Sequence, residues 1–125
     1  MRRKSRETAF KLIYANLFES DCAEDDVYKE NCLTEDEIEY CKRILNVYNQ
    51  NKNQTQERLK NILKGYELER VYKIDLALII LAFCENKYLQ VPKAVVINEV
   101  LEICKIYSTD KSPSFINGIL KDLLK

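Results

Sequence analysis

The sequence predicts an all-α bundle of six or seven helices, and three observations lead there. Its 125 residues hold only two glycines and two prolines, too few breakers for the many turns of a sandwich or barrel. Apolar residues recur at intervals of three and four in one segment after another, and no run alternates with the period of two that a strand requires. Hydrophobic residues make up 46% and charged residues 32%, the balance of a globular chain rather than a disordered one. A single domain spanning 1–125 is expected, long enough to bury roughly two thirds of the surface its unfolded chain exposes.

Phe10, Ile13, Tyr14, Leu17 and Phe18 form the first stripe, which predicts a helix from about Ser5 to Phe18. The stretch Glu19–Glu37 holds nine acids against the single base Lys29. A solvated loop with a short helix near Val27 is preferred there over an acidic binding surface. Thr34 followed by Glu37 is a capping-box pattern opening a second stripe at Ile38, Cys41, Leu45 and Tyr48. That stripe fades through NQNKNQTQ and returns at Leu59, Ile62, Leu63 and Tyr66. One long helix with a polar waist, ending at Gly65, is preferred over two helices broken near Asn51.

YELERVYKI reads as a short helical turn leading to Asp75, which is expected to cap LALIILAFCENKY. That segment is hydrophobic nearly all round, the signature of a helix at the centre of a bundle. Pro92 suits the first position of KAVVINEVLEICKIY, and Ser112-Pro113 repeats the cap-and-proline arrangement for SFINGILKDLLK.

Composition also removes functions. The chain has no histidine, so Ser-His-Asp and Cys-His nucleophile systems and histidine metal sites are absent from its repertoire. Its five cysteines (Cys22, Cys32, Cys41, Cys84, Cys104) are odd in number and form no CxxC pair. Neither a disulfide framework nor a structural zinc site is expected, and reduced cytoplasmic thiols are the simplest reading. No apolar run is long enough to span a bilayer, and no secretory signal is visible.

Net formal charge is zero, yet Arg2, Arg3, Lys4 and Arg6 crowd the start of the first helix. Cations at a helix N-terminus oppose its dipole by roughly a few tenths of a kcal/mol each. A frayed, solvated terminus and an anion-binding arm both account for the cluster. Lys11 on the same helix and Tyr14 two turns in strengthen the second, because arginine forks match phosphate oxygens and an aromatic ring stacks an unpaired base. Within VINEVLEICK, Asn98 and Glu99 interrupt an apolar helix, and a buried Asn98 fixing how two helices meet is preferred over catalysis. Gly118 in FINGIL costs about 1 kcal/mol relative to alanine, so close helix packing is the preferred reason for it, with RNA or partner contact second.

Three segments together resemble the NusB family of bacterial transcription antitermination factors. RRKSRETAFKLIYA is similar to the family's arginine-rich opening. YELERVYKIDLALIILAFCE resembles its aromatic turn, Asp and central helix. VPKAVVINEVLEICKIYSTDKSPSFINGIL resembles its proline-started helix with Ile-Asn-Glu, followed by Phe-aliphatic-Asn-Gly. Leu76 and Ile80 stand where the family often has arginines.

The resemblance implies two packed three-helix subdomains with an extra helix. It implies binding of single-stranded boxA RNA from ribosomal operons together with NusE, a small-subunit ribosomal protein, on RNA polymerase with other Nus factors. No catalytic activity, cofactor or metal is implied. By position, Arg2, Arg3, Lys4, Arg6, Tyr14 and Phe115 would contact RNA, and Tyr14 and Glu85 would face NusE; Lys111 stands where the family often has an acid or another polar residue, and its charge would suit an RNA phosphate. Asp75, Asn98, Glu99, Asn117 and Gly118 match the family signature, where structural roles are expected. A diverged protein-interaction module and the NusB-like domain of an rRNA methyltransferase are the alternatives.

Overall fold

The computed structural model describes residues 2–18, 24–63 and 71–125. Seven helices are present among them and no strand: α1 Arg3–Leu17, α2 Glu24–Glu30, α3 Glu35–Gln50, α4 Lys52–Ile62, α5 Lys73–Lys87, α6 Lys93–Tyr107 and α7 Ser112–Leu123. Cys22, Gly65 and the whole of YELER lie outside the described residues, as does the expected end of a long second helix.

The all-α expectation holds, and α5 is its axis. Every residue from Asp75 through Glu85 is buried, because α1, α3, α6 and α7 all pack on this one helix. A helix enclosed on every side has no face to reserve for water, which is why its sequence lacks a polar stripe. Around α5, α1 and α3 pack on each other, as do α6 and α7; α2 adds to α1, and α4 leads from α3 to α7. One continuous apolar cluster joins the two pairs, from Phe10 and Ile13 through Ile44 and Leu78 to Ile116 and Leu120.

The capping box forms as read. The Glu37 N–H donates to Thr34 Oγ1 at 3.3 Å, and the Thr34 N–H donates to Glu37 Oε1 at 2.9 Å. Glu35, Asp36 and Glu37 complement the helix dipole in the first turn of α3. The expected short helix near Val27 is α2.

Several expectations need correction. The long helix through NQNKNQTQ does not form, since the chain breaks at Asn51 (φ −124°, ψ 25°). The Asn51 side chain donates to Val47 O at 2.8 Å, ending α3, while its carbonyl accepts from the Thr55 N–H and Oγ1, starting α4. Asp75 does not cap its own helix. It sits in the first turn, buried, and accepts from Ser108 Oγ at 2.5 Å and Ser112 Oγ at 2.9 Å, so it ties α5 to the α6–α7 turn. Ser112 accordingly lies inside α7 rather than capping it, and Pro92 immediately precedes α6.

Asn98 is exposed rather than buried, because the buried face of α6 is Val96, Val100, Ile103 and Cys104. Gly118 is exposed, and a Cβ built on it meets nothing within 4 Å, so helix packing does not require the glycine. Asn117 is half-buried.

Candidate nucleic-acid interface

The four basic residues of the opening turn divide three to one. Arg2, Arg3 and Lys4 are exposed, whereas Arg6 is buried at 6% exposure. Arg6 Nε donates to both oxygens of Glu85 at 2.8 Å, and Glu85 Oε2 also accepts from the Tyr40 hydroxyl at 2.6 Å. This triad joins α1, α5 and α3 in the core. Burial works to lower the Arg6 pKa, but the Glu85 carboxylate outweighs it and holds the guanidinium above its ordinary value. Burial, helped by the hydrogen bond to Glu85, pushes the Tyr40 phenol up as well.

Glu85 is therefore not on a partner-facing surface: it is fully buried. Arg6 likewise acts as an anchor, not as a free cation. Their burial explains how a capless helix start loaded with cations holds together. Arg2 is the residue before the helix and makes no side-chain cap. Its guanidinium instead lies 4.1 Å from the centroid of the Tyr40 ring, a cation–π contact worth about 0.5–1 kcal/mol at an exposed site. Arg3 pairs with Glu99 of α6 at 3.1 Å, and Ser5 Oγ donates to Glu37 O at 2.7 Å. Tertiary contacts thus offset the local dipole penalty.

Sequence reasoning misses Tyr40, and it misses Arg43, whose guanidinium is 5.8 Å from the same ring. For the burial of Arg6 a signal exists in register: it precedes Phe10 and Ile13 by four and seven residues, on the apolar stripe of α1. Between the arm and α3 lies a cleft of ≈ 630 Å³ whose walls carry Arg2, Tyr40 and Arg43 together with the acids Asp36, Glu37 and Glu39. Glu37 is held below the usual carboxylate range, chiefly by its backbone hydrogen bond at Thr34 and in smaller part by Lys4.

Further along α1, Phe10, Tyr14 and Phe18 make an aromatic ladder with centroids 6.4 and 5.0 Å apart. Tyr14 is half-buried and Phe18 is 53% exposed. Phe10 also meets Tyr107 of α6 at 5.4 Å, and the Tyr107 hydroxyl donates to Glu7. Lys11 is engaged with Asn31 Oδ1 at 2.8 Å and lies over the Tyr107 ring.

Lys111 and Phe115 lie at the start of α7, Lys111 exposed and Phe115 half-buried. Ser108, Thr109 and Ser112 share hydroxyl hydrogen bonds there and are moored to Asp75. The basic arm is moored to Glu85, ten residues further along α5, so the two sets are separated by about 15 Å along that axis. Tyr14 lies on the stretch of α1 that runs from the arm towards the Asp75 end. The sequence-predicted RNA residues are thus spread over a track rather than gathered in one pocket. Among the described residues no His/Cys/Asp/Glu group has the arrangement of a metal site.

A profile described as the NusB family matches residues 3–125. A transcription antitermination protein NusB from Clostridium botulinum (strain Kyoto / Type A2) is 33% identical, covering 98% of this chain and 99% of its own length. Another from Finegoldia magna is 35% identical over 99% of this chain and 93% of that one. The solved structure of T. maritima NusB superposes with a TM-score of 0.86 at 26% identity, covering 98% of this chain and 89% of that chain.

Proposed function

The chain belongs to the NusB family of transcription antitermination proteins, and on that premise we propose that it works by holding single-stranded boxA RNA of ribosomal operons on the exposed opening turn of α1. In this reading it acts in the bacterial cytoplasm, with NusE and other Nus factors on RNA polymerase. The observation that carries the proposal is the triple Arg2, Arg3 and Lys4, exposed on a helical turn that Arg6 fixes to the core.

The mechanism is binding without chemistry. Guanidinium and ammonium groups hold phosphate oxygens, while unstacked bases are read by ring stacking and edge hydrogen bonds. Tyr14 provides a half-buried ring on the way to Lys111 and Phe115. The 15 Å between the two moorings corresponds to roughly four nucleotides at 3.4 Å per stacked base. The exposed Phe18 edge beside Tyr14 suits a protein neighbour, and NusE docking there would couple reciprocally to RNA binding. Glu85 serves the basic arm from beneath, through Arg6.

The test is an anisotropy titration of a labelled boxA oligonucleotide, with and without NusE, across a salt series. Arg2→Ala, Arg3→Ala and Lys4→Ala together should lower the slope of log affinity against log salt by about 2, with helicity unchanged. Arg6 stays in place, because its removal would probe the core instead. Affinity and slope equal to those of the parent protein would refute the assignment.

A further inference from the structure

A second groove opens at the same end of α5 as the basic arm but is lined by other elements. It has a volume of ≈ 770 Å³ and lies between α4, the last turn of α5 and the end of α7. Among the described residues its charged lining side chains are Arg58, Lys87 and Lys125, all exposed, and no acidic side chain joins them. The cleft beside the arm, by contrast, mixes two arginines with three acids. In a chain of zero net charge, a groove lined with one sign of charge is a focused field for an anion.

Two further features narrow the anion. Tyr88 is half-buried and seated edge-on against Phe83, centroids 6.0 Å apart, so the ring is held while part of its surface faces the groove. Gln54 is an exposed amide on the facing wall. The turn that carries Tyr88 is rigidly stitched: the Val91 N–H donates to Glu85 O, and Asn86 Nδ2 donates to Val91 O at 3.0 Å. Asn86 also binds the Lys125 backbone, fixing the end of α7 to the groove. Cations for phosphates, a held aromatic face for a base and an amide for a base edge are the parts of a single-stranded nucleic-acid groove.

We propose that this groove is a second contact for single-stranded RNA, taking nucleotides that flank the segment bound at the arm. The proposal rests on the RNA-binding reading above and extends it. The last turn of α5 carries both sites: Glu85 anchors Arg6 and the arm, and Asn86, Lys87 and Tyr88 form the groove wall. The two sites are thereby tied to neighbouring residues at one end of α5. An acidic protein segment would also satisfy the charge, but it has no use for the held ring of Tyr88.

The experiment uses the full chain and two labelled RNAs, a boxA core and the same core extended by flanking nucleotides on both sides. Arg58→Glu with Lys87→Glu should leave core binding unchanged and weaken the extended RNA by about tenfold or more, with the salt slope reduced by about 1.4. Tyr88→Ala should weaken only the extended RNA, by about fivefold or more. As a readout independent of folding in the variants, 4-thiouridine in the flanks of the extended RNA should crosslink to Tyr88 or Lys87 of the unaltered protein. Equal affinities for the extended RNA in parent and variants, or crosslinks confined to α1 and the first turn of α7 around Phe115, would overturn the groove and leave the arm standing; an acidic protein occupant would give that same result. Failure of the parent protein to bind either RNA would overturn both.

Discussion

Consider Arg6→Met and Glu85→Gln, made singly and together. Arg6 has 7% of its side chain exposed and Glu85 none, and they meet through two contacts at 2.8 Å. Removing one member of such a pair strands the other charge in the core, which costs about 3–5 kcal/mol. With an unfolding entropy of about 2.1 cal/mol/K per residue, each kcal/mol lowers the midpoint of this chain by about 4 °C, so each single variant should melt about 11–19 °C lower. The double variant leaves no stranded charge, and the amide oxygen that replaces the Glu85 carboxylate still accepts from the Tyr40 hydroxyl. It should be more stable than the sum of the single losses predicts by at least about 2 kcal/mol. Thermal and urea denaturation followed by circular dichroism measure all four proteins. Additivity within about 0.5 kcal/mol would refute the claim that these two groups form one buried unit.

Gly118→Ala should raise stability by about 0.5–1 kcal/mol, since α7 gains helix propensity and the new methyl meets open space; a loss in urea denaturation would contradict that. Glu99→Gln releases Arg3, and because an exposed pair is worth at most about 1 kcal/mol, RNA affinity should rise by up to about fivefold in the same anisotropy assay. An unchanged affinity would mean the pair does not compete with phosphate. Burial pushes the thiols of Cys41 and Cys84 up to about 12 and that of Cys104 up to about 11. Groups raised in the fold contribute stability that is whole below the usual thiol value of 9.0 and lost as pH rises through their folded values. The denaturation midpoint should hold from pH 7 to 8 and fall above about pH 9, by up to about 1.4 kcal/mol per pH unit for each thiol. A flat profile to pH 11 would be inconsistent with buried thiols.

What can be read in advance rests on periodicity. The stripe of α1, the capping box of α3 and the enclosure of α5 all follow from which residues repeat at three and four. The break at Asn51 is hidden, because NQNKNQTQ has no apolar phase and the choice is made by one amide turning back to Val47 O. The apolarity of their neighbours places Asn98 and Gly118 inside, although the phase of Val96 and Val100 puts position 98 on the outer side. In the candidate site, reading by charge groups Arg6 with Arg2, Arg3 and Lys4, whereas its phase with Phe10 and Ile13 sets it apart. Tyr40 and the partnership of Arg3 with Glu99 join segments 38 and 96 residues apart, and no local pattern announces such pairings.

The helical opening turn has one more consequence, a thermodynamic one. The Arg6 N–H already donates to Arg2 O at 3.0 Å, and the backbone between them is helical. Ordering a flexible arm would cost about 1–2 kcal/mol per residue in backbone entropy, and here that ordering is complete before any ligand arrives. RNA association on the proposed surface should therefore lack the large negative heat-capacity change of coupled folding and binding. The calorimetric signal left would come from ion release and from unstacking of the RNA itself.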